Sequence, residues 1–236
     1  MIGKRLEGKF LFISSPILYI EKLENIMKNL GIEIDDIVAG PFAECSLLLS
    51  KKEKMAGVAL INFGHSTTSI LVYENNNPLL LSILPVGSND ITNDIALGLQ
   101  VSLEDAEEIK CGRSELPISK RKLEEIIESR IADICDKINL ELEKINRKEL
   151  LPGGIILCGG GSELLRSAYL FKENLKLPLK FSNEEMTKKT RGQFSNTNFA
   201  RAIGLTYFAP VISSEYAIEK YLKRIFLNIF KIFKKI

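Results

Sequence analysis

The run Ile155-Ile156-Leu157-Cys158 is four apolar residues without polar alternation, and it leads directly into Gly159-Gly160-Gly161-Ser162. A run with no solvent side predicts a strand buried on both faces, which occurs where helices cover a sheet above and below. The glycines must then carry the chain from that strand into a following helix. A layered α/β fold follows from this one segment.

The rest of the chain supplies matching parts. Lys9 to Ser14 reads as a short strand and Ile17 to Leu30 as a helix, with Ile20, Leu23, Ile26, Met27 and Leu30 at helical spacing before Gly31 ends it. A second strand, Asp36 to Ala39, leads through Gly40-Pro41 into an apolar helix, Phe42 to Leu49, and Lys51-Lys52-Glu53-Lys54 reads as a solvated link. Val58 to Phe63, Ser69 to Glu74 and Leu79 to Val86 form a three-stranded meander with Asn75-Asn76-Asn77-Pro78 as its second turn. A helix is expected from Ser88 to Leu99, capped by Ser88 or Asn89, and another from Ser102, whose hydroxyl caps it. After a loop from Gly112 to Ser119, a long helix is expected from Lys120 to Arg147, with Leu123, Ile126, Ile127, Ile131, Ile134, Ile138, Leu142 and Ile145 on one side. Pro152-Gly153-Gly154 stops it.

At 236 residues the chain can bury a full core without covalent staples. Cys45, Cys111, Cys135 and Cys158 make no C-x-x-C pair, which excludes a sequence-local zinc site and fits a reducing cytosol. The formal charge is +2, but Lys220 to Ile236 carries six Lys/Arg and no acid, so subtracting six leaves −4 for the remainder. A nucleic-acid-binding body is not expected from that balance. The opening Met1-Ile2-Gly3-Lys4-Arg5 has no signal-peptide core, and no long apolar run occurs elsewhere.

On a helical wheel, Lys220, Lys223, Arg224, Lys231, Lys234 and Lys235 gather in an arc about 120° wide. Leu222, Ile225, Phe226, Ile229, Phe230 and Phe233 occupy the opposite face. Such a helix is too charged to span a bilayer and suits the lipid-water interface. Docking on the protein's own core is the alternative.

Two glycine turns are candidate phosphate seats, since a glycine turn exposes backbone N–H groups and lets a ligand approach closely. One is Gly159-Gly160-Gly161-Ser162, whose glycines equally suit close helix packing. The other is the hairpin Asn62-Phe63-Gly64-His65-Ser66-Thr67-Thr68, which on its own also reads as an ordinary hairpin.

Taken in order, this hairpin, Ile83-Leu84-Pro85-Val86-Gly87 with Ile91-Thr92-Asn93-Asp94, the run Asp105-Ala106-Glu107-Glu108-Ile109-Lys110, and Pro152-Gly153-Gly154 through Gly161 resemble the FtsA family of bacterial division proteins. Gly3-Lys4-Arg5-Leu6-Glu7-Gly8-Lys9 and the terminal basic helix are similar to that family too. The resemblance implies an actin-like (ribonuclease H-like) α/β lobe with a mixed sheet. Residues 1–40 would belong to a small inserted subdomain and 41–209 to the second actin-like lobe, with a reduced helical part at about 111–150. Residues 210–216 would be a linker and 217–236 a membrane-targeting amphipathic helix.

The resemblance further implies a cytoplasmic protein at the division septum that tethers polymers of the tubulin-like protein FtsZ to anionic membrane and self-assembles. Carried over by motif, Asn62, Gly64, Ser66 and Thr67 belong to a phosphate loop, Glu107 and Lys110 flank the adenosine of ATP, and Gly159, Gly160 and Gly161 back the purine and α-phosphate. Lys122 and Arg130 fall on the helix that receives the acidic FtsZ tail. Eight residues place them roughly 12 Å apart along it. Leu222, Lys223, Arg224, Ile225, Phe226, Ile229, Phe230, Lys231 and Phe233 would meet the membrane.

Three departures from the family pattern matter. The sequence has no counterpart of the first lobe, which implies half a cleft and weak ATP binding, with either a truncated reading frame or a separately encoded first lobe as the reason. Asn62 stands where the pattern has Asp, and His65 and Ser66 stand where it has glycines, which weakens the Mg²⁺ site and hydrolysis. The segment between Lys110 and Leu123 is short. A non-catalytic adaptor is therefore expected, with no protein-held metal and no catalytic residue. An active actin-fold ATPase and a pilus-assembly actin homologue are the alternatives.

Overall fold

The computed structural model describes residues 8, 10–34, 36–164, 166–181, 183–194 and 197–207. The expected linker at 210–216 and helix at 217–236, with every membrane residue named above and the opening motif up to Glu7, lie outside the described residues.

The hydrophobic alternation dictates the sheet. Strands β1 (Val58–Phe63), β2 (Thr68–Glu74) and β3 (Asn77–Leu84) form the expected meander, and β4 (Ile155–Cys158) is buried throughout, as its sequence requires. A fifth strand, β5 (Leu179–Phe181), completes the order β3-β2-β1-β4-β5. The β1/β2 and β2/β3 pairs are antiparallel, while β1/β4 and β4/β5 are parallel, so the sheet is mixed. The turn between β2 and β3 is tighter than expected: Asn75 and Asn76 both take positive φ, and pairing resumes at Asn77.

Alternate residues of β1 divide between two cores. Ala59, Ile61 and Phe63 face helices α4 (Ser88–Leu99), α5 (Leu103–Lys110), α6 (Lys120–Lys144) and α7 (Ser167–Leu175). Val58 and Leu60 face α2 (Gly40–Leu48) and α8 (Asn183–Lys189). The buried stripe of α6, Ile131, Ile134, Cys135, Ile138 and Leu142, joins the first core and forms none of its own. A helical segment over residues 200–207 follows, with Ala200 in the second core.

Several expectations change. Lys51 to Lys54 is no link but the start of α3 (Lys51–Ala56), because Ser50 and Glu53 form a capping box that satisfies its first N–H groups. The strands expected over 9–14 and 36–39 are irregular where described, since among the described residues no neighbouring strand offers a ladder to pair with. Between them α1 (Ile17–Asn29) forms as its periodicity requires, with no residue of it buried and none of 10–39 in either core. The long helix ends at Lys144 rather than Arg147, where Asn146 turns into positive φ. The helix expected directly after the Gly159 turn is only a 3-10 turn, Gly160–Glu163. Leu164 is extended and Arg166 left-handed, so α7 begins at Ser167. No described helix is long and apolar enough to cross a membrane.

Candidate functional site

The hairpin and α4 are built into each other. Gly64 N–H donates to the Thr67 carbonyl at 3.0 Å, closing the turn, while the Gly64 and His65 carbonyls accept the N–H groups of Ser88 and Asn89 at 2.9 and 2.8 Å. Neither Ser88 nor Asn89 is the cap expected from sequence. The N-cap is Gly87, whose N–H donates to the Asp90 carboxylate at 2.8 Å, and the hairpin carbonyls take two more donors. His65, Ser66 and Thr67 stand exposed, and among the described residues their N–H groups have no partner. Those donors, and not the α4 terminus, are what an anion would meet.

Lys110 keeps its ammonium buried behind that junction. Its side chain is 3% exposed, and its ammonium donates to Glu107 Oε2 (2.6 Å), Thr92 Oγ1 (2.8 Å) and the Ser88 carbonyl (3.2 Å). Thr92 donates to the same Glu107 oxygen at 2.6 Å. Partial burial works to raise the Glu107 carboxyl, but hydrogen bonds from Lys110 and Thr92 outweigh it and hold it below the usual range. The expected adenosine-flanking pair is therefore a closed lock between α4 and α5. Burial demands a counter-charge for the ammonium, which spends both groups on each other.

The second turn is packed shut from behind. Gly159 has φ +87°, and a Cβ there would collide with Asn62 Oδ1 and lie 2.7 Å from the Phe63 carbonyl oxygen. A Cβ on Gly161 would stand 2.5 Å from the buried Phe63 ring. Both glycines thus serve close approach of the turn to β1. Gly160 is exposed, with nothing nearer than Asn198 Oδ1 at 3.5 Å from where its Cβ would be.

Asn62 is likewise committed. Its amide donates to Glu44 Oε1 at 2.7 Å, the same oxygen that takes Arg201 Nε at 2.8 Å. Glu44 is fully buried and its Oε2 has no partner. Burial raises its carboxyl above the ordinary range despite Arg201 and Asn62. The Asn62 amide nitrogen is spent on Glu44, and the oxygen that remains is neutral, so Asn62 lacks the charge with which an aspartate would organise a metal-bound water.

Between α5, the loop 111–118, the first half of α6 and the turn before α7 lies a cavity of about 960 Å³. Leu116, Ile118, Leu123, Ile127 and Leu164 give it apolar walls, and Lys110 and Gly160 line it; Glu107 does not. Its size is that of a small-molecule site. Apolar walls for a base and an open Gly160 fit the base end of a nucleotide, while the hairpin residues 64–67 are not among those that line the cavity. Among the described residues no group of His, Cys, Asp and Glu is placed to hold a metal.

On α6, Lys122 is exposed and without an ion pair among the described residues, but Arg130 is not a free cation. It forms a bidentate pair with Asp94, at 2.5 and 2.8 Å, and approaches Asp133 at 3.9 Å. That pairing draws α4 to α6 and raises the guanidinium further. Three residues at these sites carried no sequence signal: Glu44 and Arg201, 157 positions apart, and Arg166, which lines the cavity. Only the odd placing of an acid in the apolar Phe42-Ala43-Glu44-Cys45 run hints at the first.

A family model described as "Cell division protein FtsA" matches residues 59–204. Cell division protein FtsA of Pseudomonas aeruginosa is 26% identical over 230 residues, 88% of this chain and 55% of that protein. Its Bacillus subtilis namesake is 32% identical over 182 residues, 68% and 41% of the two chains. The chain thus spans about half the length of the curated relatives it matches. Among solved structures, Spiroplasma citri MreB5 bound to ADP superposes with a TM-score of 0.68 at 17% identity, covering 86% of this chain and 68% of that one. A PilM–PilN type IV pilus biogenesis complex superposes with 0.63 at 22%, covering 79% and 56%. These two likenesses establish the actin-like fold, and the family model and relatives carry the rest. The chain belongs to the FtsA family of cell division proteins.

Proposed function

We propose that this division protein is an adaptor that joins FtsZ polymers to the cytoplasmic face of the membrane at the division septum and does not work by hydrolysing ATP. The observation that carries the reading is the sorted charge of Lys220 to Ile236, joined to a body that belongs to the FtsA family. An interfacial helix of this kind gains about 1 kcal/mol per basic residue near an anionic surface, and that gain falls with salt. Polymerised partners supply the rest through avidity.

The acidic FtsZ tail docks at the first turns of α6, where Lys122 is open. Arg130 joins only if the tail displaces Asp94, so Lys122→Glu should weaken the contact without touching the α4–α6 ion pair. ATP binds weakly in the cavity, its phosphates toward Ser66 and Thr67. Asn62, uncharged and held by Glu44, supports binding without turnover, and Mg²⁺ would come with the nucleotide. Self-assembly and pairing with a first lobe belong to the same reading.

Liposome flotation with purified FtsZ tests it. Tail-dependent flotation of FtsZ is expected on anionic vesicles, lost at high salt and lost when Ile225, Phe226 and Ile229 become Glu. Flotation that ignores those three changes would place the terminal helix on the protein's own core and remove the tether.

A further inference from the structure

Among the described residues that line the cavity, Arg166 is the non-glycine residue held in a costly backbone conformation, with φ +64° and ψ 0°. A long side chain in the left-handed region is held there at a cost of about 1 kcal/mol or more, unless surrounding contacts over-determine it. Local packing does not explain the cost, because the side chain is 43% exposed. What the conformation achieves is direction. It sends the guanidinium from the start of α7 to two carboxylates on α6, with Nη1 3.1 Å from Glu128 and 3.5 Å from Glu124. The guanidinium also lies 5.8 Å from the centre of the Tyr169 ring, one turn along α7.

Glu124 and Glu128 are four residues apart and so present a matched pair on one face of α6. All three charged groups line the same cavity, Arg166 from the α7 wall and the two acids from the α6 wall. The polypeptide beneath is pinned: Ser167 Oγ donates to the Ser162 carbonyl at 2.8 Å, and Ser162 Oγ donates to the Gly159 carbonyl at 2.6 Å. The base of the wall is fixed, and the charged arm across the cavity is exposed and joined only by ion pairs. Half-exposed ion pairs hold weakly and let go readily, which suits a latch and not a structural strut.

We infer that Arg166 with Glu124 and Glu128 is a clasp that closes the cavity over a bound adenine nucleotide and sets how fast it leaves. The inference rests on the nucleotide reading of the cavity given above. The three residues are positioning residues: they act on the walls and hold no reacting atom.

The test is a cycle of release rates, measured by stopped flow with a fluorescent ribose-labelled ATP chased by unlabelled ATP. It uses the full chain, Arg166→Gln, Glu124→Gln/Glu128→Gln, and all three changes together. The clasp predicts release two- to tenfold faster in Arg166→Gln, the same rise in the double carboxylate variant, and no further rise in the combination. Salt taken toward about 1 M, where the screening length is roughly 3 Å, should bring the unaltered chain up to the variants and narrow the gap between them. Equal release rates in all four proteins, or increments that add, would overturn the clasp while leaving the nucleotide reading intact. Failure of all four to bind the labelled ATP would overturn both. The carboxylate variant tests the same clasp from the helix α6 side, should Arg166→Gln disturb the start of α7.

Discussion

Two polar clusters stand behind the two glycine turns, each built around one glutamate and one cation, and they serve opposite ends. Behind the Gly64 hairpin, Glu107, Lys110 and Thr92 share short hydrogen bonds, and the Lys110 ammonium reaches three acceptors. Behind the Gly159 turn, Glu44 holds Asn62 and Arg201 on one oxygen and leaves the other buried without a partner. The first cluster braces the α4 terminus whose donors the hairpin carbonyls satisfy, leaving the hairpin's own N–H groups open. The second clamps Asn62 into the space that Gly159 vacates, so that turn is closed from behind. One glycine turn keeps its donors open at the surface, and the other is a packing device that offers only Gly160 to the cavity.

The sharpest way to break that contrast is to fill the vacated space. Gly159→Ala adds a Cβ against Asn62 and forces a side chain into φ +87°, and strain plus overpacking together predict a loss of about 3 kcal/mol. Gly160→Ala, one residue on and open, should stay within about 0.5 kcal/mol. Urea denaturation midpoints at unchanged slope compare them, and equal losses would mean that the Gly159 turn is not closed. Next in size is Glu107→Ala, which strands the Lys110 ammonium without its counter-charge. A buried pair broken on one side costs about 3–5 kcal/mol, and the half-exposed Glu107 side chain brings that down to about 2 kcal/mol. The loosened Ser88 carbonyl should also raise amide exchange at the Gly64 hairpin. Unchanged exchange there would separate the lock from the hairpin.

Periodicity made much of this legible in advance. β1, β4 and α4 fall at the expected bounds because each carries an uninterrupted apolar or helical pattern that its own residues decide. The expected strands near residues 9–14 and 36–39 had suitable composition, but a strand also needs a neighbour, which no local pattern supplies. α3 was hidden because a capping box in a run of lysines looks like solvated charge, and β5 because three residues with a lysine make no pattern. The site divides along the same line. Sequence located the glycine turns and the Glu107–Lys110 spacing. It did not reveal that Arg130 is bound to Asp94, 36 positions away, or that Asn62 is held by Glu44, because both partners come from other elements. Family resemblance assigns a position, whereas whether the side chain there is free depends on its neighbours.

The smallest predicted effect is also the one that separates the two clusters by sign. Burial raises the Glu44 carboxyl in the folded chain, so the fold binds that proton more tightly than the unfolded chain does. Its contribution is fully present below about 4.5 and is lost as pH rises through the raised folded value. Glu107 moves the other way: its carboxyl is lowered, and its contribution is present above about 4.5 and lost as pH falls. Replacing Glu44 by Gln keeps an amide oxygen to accept from Asn62 and Arg201 but removes the titration. Stability of the unaltered chain relative to Glu44→Gln should therefore fall as pH climbs above about 4.5 and through the raised folded value. Relative to Glu107→Gln it should instead rise with pH, and on the acid side, as pH climbs toward about 4.5. Thermal midpoints from about pH 3 to neutrality read both differences. Parallel curves for the two variants would mean that Glu44 keeps its charge in the folded chain, with its second oxygen satisfied by solvent, and the contrast between the clusters would be lost.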